Sequence, residues 1–142
     1  MSNYEKLKAA LKIDEGYASK IYQCSAGANT IGYGRNLDVR GINKAEADTL
    51  LNTDIYDCLN QLQQIEWFTD LAEDDVRQNV LLNMCFNLGI ARLMSFKRMW
   101  AAIGGEDYVK ASIEMLDSRW AKQVGPRALR LSEEMKTGQE KR

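Results

Sequence analysis

The sequence predicts an α+β fold in which a small β-hairpin lobe and a larger helical lobe are joined by a long helix. Three observations predict it. Short β-forming runs broken by glycine-containing turns are confined to the first third of the chain. A capped run with apolar residues at helical spacing follows, about eighteen residues long and so able to bridge two lobes. The segments after it keep helical rather than alternating spacing. The chain reads as one domain over residues 1–142: a β-rich lobe at about 16–43, a linking helix at about 44–62, and a helical lobe at about 63–138 that also takes in the N-terminal helix 3–14.

Each element has its own warrant. Tyr4, Leu7, Ala10 and Leu11 recur at helical spacing and stop near Glu15-Gly16, where glycine lets the chain reverse with a positive φ. Residues 20–24 and 29–33 read as two strands around the turn Ser25-Ala26-Gly27-Ala28. Gly32 and Gly34 weaken the second strand, so they mark a bulge or a close approach to the backbone, as by a ligand. Asn43, with Glu46 three residues on, signals a capping box for the linking helix. Its apolar face is Ala47, Leu50, Leu51, Ile55, Cys58, Leu59 and Leu62. Residues 73–88 form a helix stopped by Gly89, with Val76, Val80, Leu81, Met84, Cys85 and Leu88 inward. Residues 94–103, 107–116 and 126–135 are shorter helical segments, the last opened by Pro126, and the tail after Gly138 is expected to fray.

Composition narrows the function classes. A chain of 142 residues suffices for a single core. Its net charge of −1 provides no global field for nucleic acid. Residues 119–142 carry seven Lys/Arg against three Asp/Glu, either a solvated helix face or a basic rim for an anionic polymer. Beyond Trp120, no aromatic residue interleaves with that stretch as a nucleic-acid platform would require. The absence of histidine removes the usual base of Ser-His-Asp and Cys-His hydrolases and the usual ligand of a zinc amidase. Cys24, Cys58 and Cys85 are odd in number and lack metal-ligand spacing, so free thiols in a reducing compartment are expected, with no metal and no organic cofactor. The N-terminal residues are too polar for a secretory signal, and no apolar run approaches the roughly 18 residues of a membrane span. A soluble cytoplasmic protein without membrane insertion is expected.

The chemistry concentrates between residues 14 and 34. Glu15 ends a helix, Cys24 ends a strand and Thr30 opens the return strand, so an acid, a thiol and a hydroxyl converge on one hairpin. Cleavage of a glycosidic bond needs a protonated carboxyl for the leaving oxygen and a second group to activate water or attack the sugar. Glu15, beside aromatic neighbours, suits the first function; Cys24 or Asp14 could supply the second, and Thr30 could hold a water. By spacing alone, the same three residues also read as a helix-end carboxylate, a half-buried strand residue and a strand former.

Asp14-Glu15-Gly16, Lys20-Ile21-Tyr22, Thr30-Ile31-Gly32-Tyr33-Gly34, Asn83-Met84-Cys85-Phe86-Asn87-Leu88-Gly89, Ser118-Arg119-Trp120 and Lys136-Thr137-Gly138 closely resemble, in order, the T-even bacteriophage lysozyme family. That family's pattern of Glu, eight residues, Asp, five residues, Thr selects Glu15, Cys24 and Thr30, with Cys24 where Asp is usual. Its Gly-His hairpin ending becomes Gly34-Arg35. The resemblance implies a lysozyme-like fold and muramidase activity on the β-1,4 bond between N-acetylmuramic acid and N-acetylglucosamine in peptidoglycan. It implies Glu15 as general acid, Thr30 as water-positioning residue, and Asp14 and Asn87 as supporting residues. Arg127 would tie the Glu-bearing helix end to the helical lobe, and Phe86, Asn36 and Arg35 would contact glycan. It further implies a monomeric phage endolysin, made in the host cytoplasm, whose peptidoglycan partner is reached once a holin opens the membrane.

The Asp-to-Cys difference bears on the second half of the mechanism. A thiol near its reference pKa of about 8.5 is mostly protonated at neutral pH, and Arg35 or Lys20 could favour the thiolate. Three readings stay open. Cys24 attacks the sugar or activates water; or Glu15 alone runs a lytic transglycosylase reaction; or the chain is an impaired module that binds peptidoglycan and cleaves it poorly.

Overall fold

In the computed structural model, which describes residues 2–141, the chain divides into two compact units, one up to Thr49 and one from Leu50. The first unit opens on α1 (Asn3–Glu15). Ser2 starts it through a reciprocal pair: its hydroxyl accepts the Glu5 N–H and the Glu5 carboxylate accepts the Ser2 N–H, both at 3.2 Å. This capping box satisfies two of the amides that a helix start leaves without partners. The helix stops at Gly16, whose φ of 70° turns the chain while its N–H still reaches the Lys12 carbonyl at 3.0 Å. None of α1's residues is buried.

Three antiparallel strands follow, β1 (Ala18–Gln23), β2 (Asn29–Gly32) and β3 (Arg35–Asn36), with β2 in the middle. Tyr22 pairs with Thr30 but Ala18 with Gly32, so an irregularity lies beside Gly32 of the second strand, its extra residues carried by the partner β1. The second strand stops at Gly32 rather than at residue 33 because Gly32 adopts a φ of 67°. β3 and the helix α2 (Leu37–Arg40) are too short to show any period in the sequence. Side chains hold them instead. Asn36 Oδ1 accepts the Val39 N–H at 3.1 Å, and the Asp38 carboxylate accepts the Asn29 N–H at 2.9 Å and its side-chain amide at 3.2 Å.

α3 (Lys44–Leu62) begins with the expected capping box, Asn43 and Glu46 exchanging two 2.9 Å bonds. Cys58 and Leu62 are buried, but Leu50, Leu51 and Ile55 stay 52%, 43% and 43% exposed. Only the C-terminal half of the apolar seam is therefore used as spacing predicts.

The second unit continues with α4 (Glu66–Thr69), α5 (Asp75–Leu88), α6 (Ile90–Met94), α7 (Lys97–Gly104), α8 (Tyr108–Leu116), α9 (Arg119–Val124) and α10 (Pro126–Thr137). The segment expected at 94–103 is corrected to two helices that break at Ser95-Phe96, where the Ser95 hydroxyl donates to the Arg92 carbonyl. α5 starts two residues later than expected because Asp74 caps it, accepting the Arg77 N–H at 3.1 Å. α4 and α9 are short turns of helix that spacing does not announce. Leu62, Phe68, Met84, Leu93, Trp100 and Met115, each at most 1% exposed, form the centre of the core. Burying one such side chain is worth roughly 1.5–3 kcal/mol. Trp100 retains its polar bond there, donating Nε1–H to the Leu93 carbonyl at 3.0 Å.

Arg77 closes the C-terminal end of α10. Its guanidinium donates to the Met135 and Lys136 carbonyls at 2.6 and 3.0 Å, pairs with Asp74 at 2.8 Å and lies 3.7 Å over the Tyr108 ring. The tail is not loose over its described part. Gln139 N–H reaches Thr137 Oγ1, and Lys141 N–H reaches the buried Glu134 carboxylate, both at 3.1 Å. Arg142, the last residue of the basic stretch, lies outside the described residues. No helix among them is long and apolar enough to cross a membrane.

Candidate active site

Glu15 is delivered by the last turn of α1 and is exposed beside Gly16. Its carboxylate lies against the Gly34 backbone: a Cβ added at Gly34 would meet Glu15 Oε2 at 2.5 Å. The close approach that glycine predicts here is thus made by the candidate acid itself. On its other side Glu15 helps line an open pocket of about 310 Å³ with Gly16, Tyr17, Ala18 and Tyr22. Asp14 is its exposed neighbour on the same helical turn.

Cys24 and Thr30 are brought together by the hairpin. The turn closes through Cys24 N–H to the Ala28 carbonyl at 3.0 Å and Gly27 N–H to the Cys24 carbonyl at 2.8 Å, with Gly27 at a φ of 82°. That geometry turns the Ala28 and Ala26 amides toward the sulfur. Hydrogen bonding from Ala28 first, then Ala26, and also from the Thr30 hydroxyl, holds the thiol pKa below its ordinary 9.0, against an opposing contribution from desolvation. These amides were invisible in the sequence, which pointed to Arg35 and Lys20 as the stabilising cations. Arg35 is instead committed to Glu46 at 2.5 Å and to the Gly41 carbonyl at 3.0 Å.

Thr30 is 3% exposed and donates to the Ala28 carbonyl at 2.9 Å. A hydroxyl carries one proton. Thr30 therefore bonds either the Ala28 carbonyl or the Cys24 sulfur, and ionising the thiol favours the second. Asn36, opposite Thr30 in the sheet, spends its side-chain oxygen on capping α2.

In the second unit, Phe86 is 45% exposed on α5, outside the core. Asn87 accepts the Trp120 indole N–H at 2.8 Å, and Phe96 meets the Trp120 ring edge-on at 6.3 Å. Trp120, 2% exposed, is thus a residue of this cluster; its presence in Ser118-Arg119-Trp120 was the only sequence signal for it. Arg127 donates Nε and Nη2 to Asn83 Oδ1 at 2.9 and 2.6 Å. Among the described residues, no group of three or more His, Cys, Asp or Glu could hold a metal ion.

The sequence profile of the family described as Phage lysozyme matches residues 12–136. The chain is 26% identical to "Probable T4-type lysozyme 2" of Dictyostelium discoideum, over 93% of its own length and 94% of that protein. It is 23% identical to "Probable T4-type lysozyme 1" of the same organism, with the same coverage. It is also 28% identical to the "Pre-baseplate central spike protein Gp5" of Enterobacteria phage T4, over 90% of its length but 27% of that protein.

Proposed function

The chain belongs to the phage lysozyme family and is a lysozyme, a glycosidase of peptidoglycan, and on that basis we propose that Glu15 is its general acid and Cys24 its second catalytic group. The observation that carries this reading is the placement of these groups around one small sheet: the Glu15 carboxylate lies against Gly34 between β2 and β3, and Cys24 opens the β1–β2 turn, where hydrogen bonding from the Ala28 and Ala26 amides and the Thr30 hydroxyl lowers its thiol pKa.

The steps follow from those groups. Glu15 gives its proton to the bridging oxygen as the bond from the N-acetylmuramic acid C1 to that oxygen breaks. In one course a water attacks C1 and its proton goes to the Cys24 thiolate. In the other the sulfur bonds to C1, and water then displaces it while the ionised Glu15 takes the water's proton. Thr30 acts through Cys24, giving it a hydrogen bond. Phe86 contacts glycan in this reading, Asn87 supports the site through its bond to Trp120, and Arg127 braces the helical lobe through Asn83. The chain acts as a monomeric endolysin of phage origin, made in the host cytoplasm, and reaches the wall once a holin opens the membrane.

Product analysis on purified peptidoglycan tests the reading. A free reducing end at N-acetylmuramic acid is expected. A 1,6-anhydro end would replace it with a lytic transglycosylase acting through Glu15 alone, and binding without cleavage would leave a glycan-binding module.

A further inference from the structure

The pocket beside Glu15 has aromatic walls that the cleavage chemistry does not use. Tyr17 and Tyr22 line it and are 69% and 38% exposed, although a ring left in water forgoes the burial that usually orders it. Tyr17 is ordered in another way. Its ring meets that of Tyr33 at 5.5 Å and 47°, and Tyr33 in turn lies beneath Lys12 Nζ, 5.2 Å from the ring centre. Lys12 belongs to the last turn of α1, whose end carries Glu15.

Gly32 and Gly34, at φ of 67° and 71°, flank Tyr33. The segment Gly32-Tyr33-Gly34 therefore does two things at once. Gly34 receives the Glu15 carboxylate, and Tyr33 supports the Tyr17 ring. An acid and an aromatic face are held by three consecutive residues, at the rim of one pocket.

We propose that Tyr17 is a sugar-stacking residue: its ring takes the apolar C–H face of an N-acetylhexosamine pyranose and sets that ring against the Glu15 carboxyl, with Tyr33 as the positioning residue behind it. The proposal rests on the reading of Glu15 as general acid. The chemistry suits this ligand class. A pyranose with equatorial substituents presents axial C–H groups on its faces, which pack on an aromatic ring, while its hydroxyls reach the polar rim. A tyrosine ring has few rotatable bonds to fix, so binding loses little side-chain freedom. A ring already buttressed by Tyr33 loses less still.

The test separates stacking from cleavage by measuring binding in Glu15→Gln, which lacks the transferable proton. A tetrasaccharide of alternating N-acetylglucosamine and N-acetylmuramic acid is titrated calorimetrically. Tyr17→Leu should weaken binding about five- to tenfold, whereas Tyr17→Phe and Tyr17→Trp should stay within about twofold. Tyr33→Leu should weaken it about two- to threefold when Tyr17 is present and have no further effect in Tyr17→Leu. With Glu15 restored, Tyr17→Leu should lower kcat/KM about five- to tenfold, and Tyr17→Phe should stay within about twofold of its parent. The thermal midpoint should fall by no more than a few degrees, since the ring is exposed and loses one aromatic contact. Equal affinity of Tyr17→Leu and its parent, or a Phe variant as weak as the Leu variant, would overturn the stacking role. If the intact chain cleaved no glycan, giving neither reducing nor 1,6-anhydro ends, while binding still followed the ring at position 17, the general-acid reading would fall and the stacking role would stand.

Discussion

The Glu15 carboxylate and the Gly34 backbone occupy adjoining space, so closely that a single methyl group on Gly34 would sit 2.5 Å from Glu15 Oε2. Gly34 also holds a φ of 71°, where residues with a side chain are strained. Glycine after Tyr33 suits both facts: it takes the positive φ at little cost, and a methyl group there would push the end of the Glu15 side chain aside.

Gly34→Ala should therefore lower kcat by roughly 10²-fold, the loss expected when a reacting group is misplaced by about 1 Å, and cost about 1–3 kcal/mol of stability through strain. Gly125→Ala is the control. Gly125 has a φ of 56° but nothing within 4 Å of an added Cβ. It should lose comparable stability and keep kcat when assayed well below its melting temperature. Equal kcat in the two variants would mean that Gly34 does not position Glu15.

Glu15→Gln keeps the shape of the side chain and removes the proton it transfers. Clearing of wall suspensions should slow by about 10²–10⁴-fold or more. A Gln variant with near-parental rates would move the general acid elsewhere.

Cys24 should be alkylated as a thiolate with a pH midpoint below the ordinary 9.0, the direction set by the Ala28 and Ala26 amides and the Thr30 hydroxyl. Thr30→Val removes one of those donors and should move the midpoint upward. If thiolate and protonated Glu15 are the working forms, the pH–rate profile should be bell-shaped, and Thr30→Val should shift the limb set by the thiol upward. Cys24→Asp should retain activity, and Cys24→Ser should lose most of it because a hydroxyl is far harder to ionise. These measurements belong in a Cys58→Ala/Cys85→Ala background so that only Cys24 reacts. A fully active Cys24→Ala in that background would remove the thiol from the reaction.

Cys85 behaves oppositely. Burial, and secondarily the neighbouring Cys58 thiol, push its pKa up to about 12 from 9.0. The folded state thus holds a proton that the unfolded chain releases above pH 9, so the unfolded state binds fewer protons there and stability falls as pH rises. The contribution is intact below about pH 9 and is lost progressively towards pH 12. The thermal midpoint should decline over the alkaline range, and Cys85→Val should flatten that decline. An unchanged slope in the variant would assign the loss to other groups.

What the sequence determined by itself was local. The Asn43–Glu46 cap, the stops at Gly16 and Gly89, the hairpin and the bulge beside Gly32 are each decided within a few residues. The spacing of Glu15, Cys24 and Thr30 is likewise written along the chain. Tertiary structure decided what those groups touch. No period in the sequence announces that Gly34 receives a carboxylate, that Ala26 and Ala28 face a sulfur, or that Arg35 is taken by Glu46. The two shortest strand and helix elements, β3 and α2, escaped for a related reason: side-chain bonds from Asn36 and Asp38 hold them, and a segment of two to four residues is too short for periodicity to mark. Helical spacing records which side of a helix is apolar, but burial depends on what packs there, and so Leu50, Leu51 and Ile55 keep the pattern without the burial.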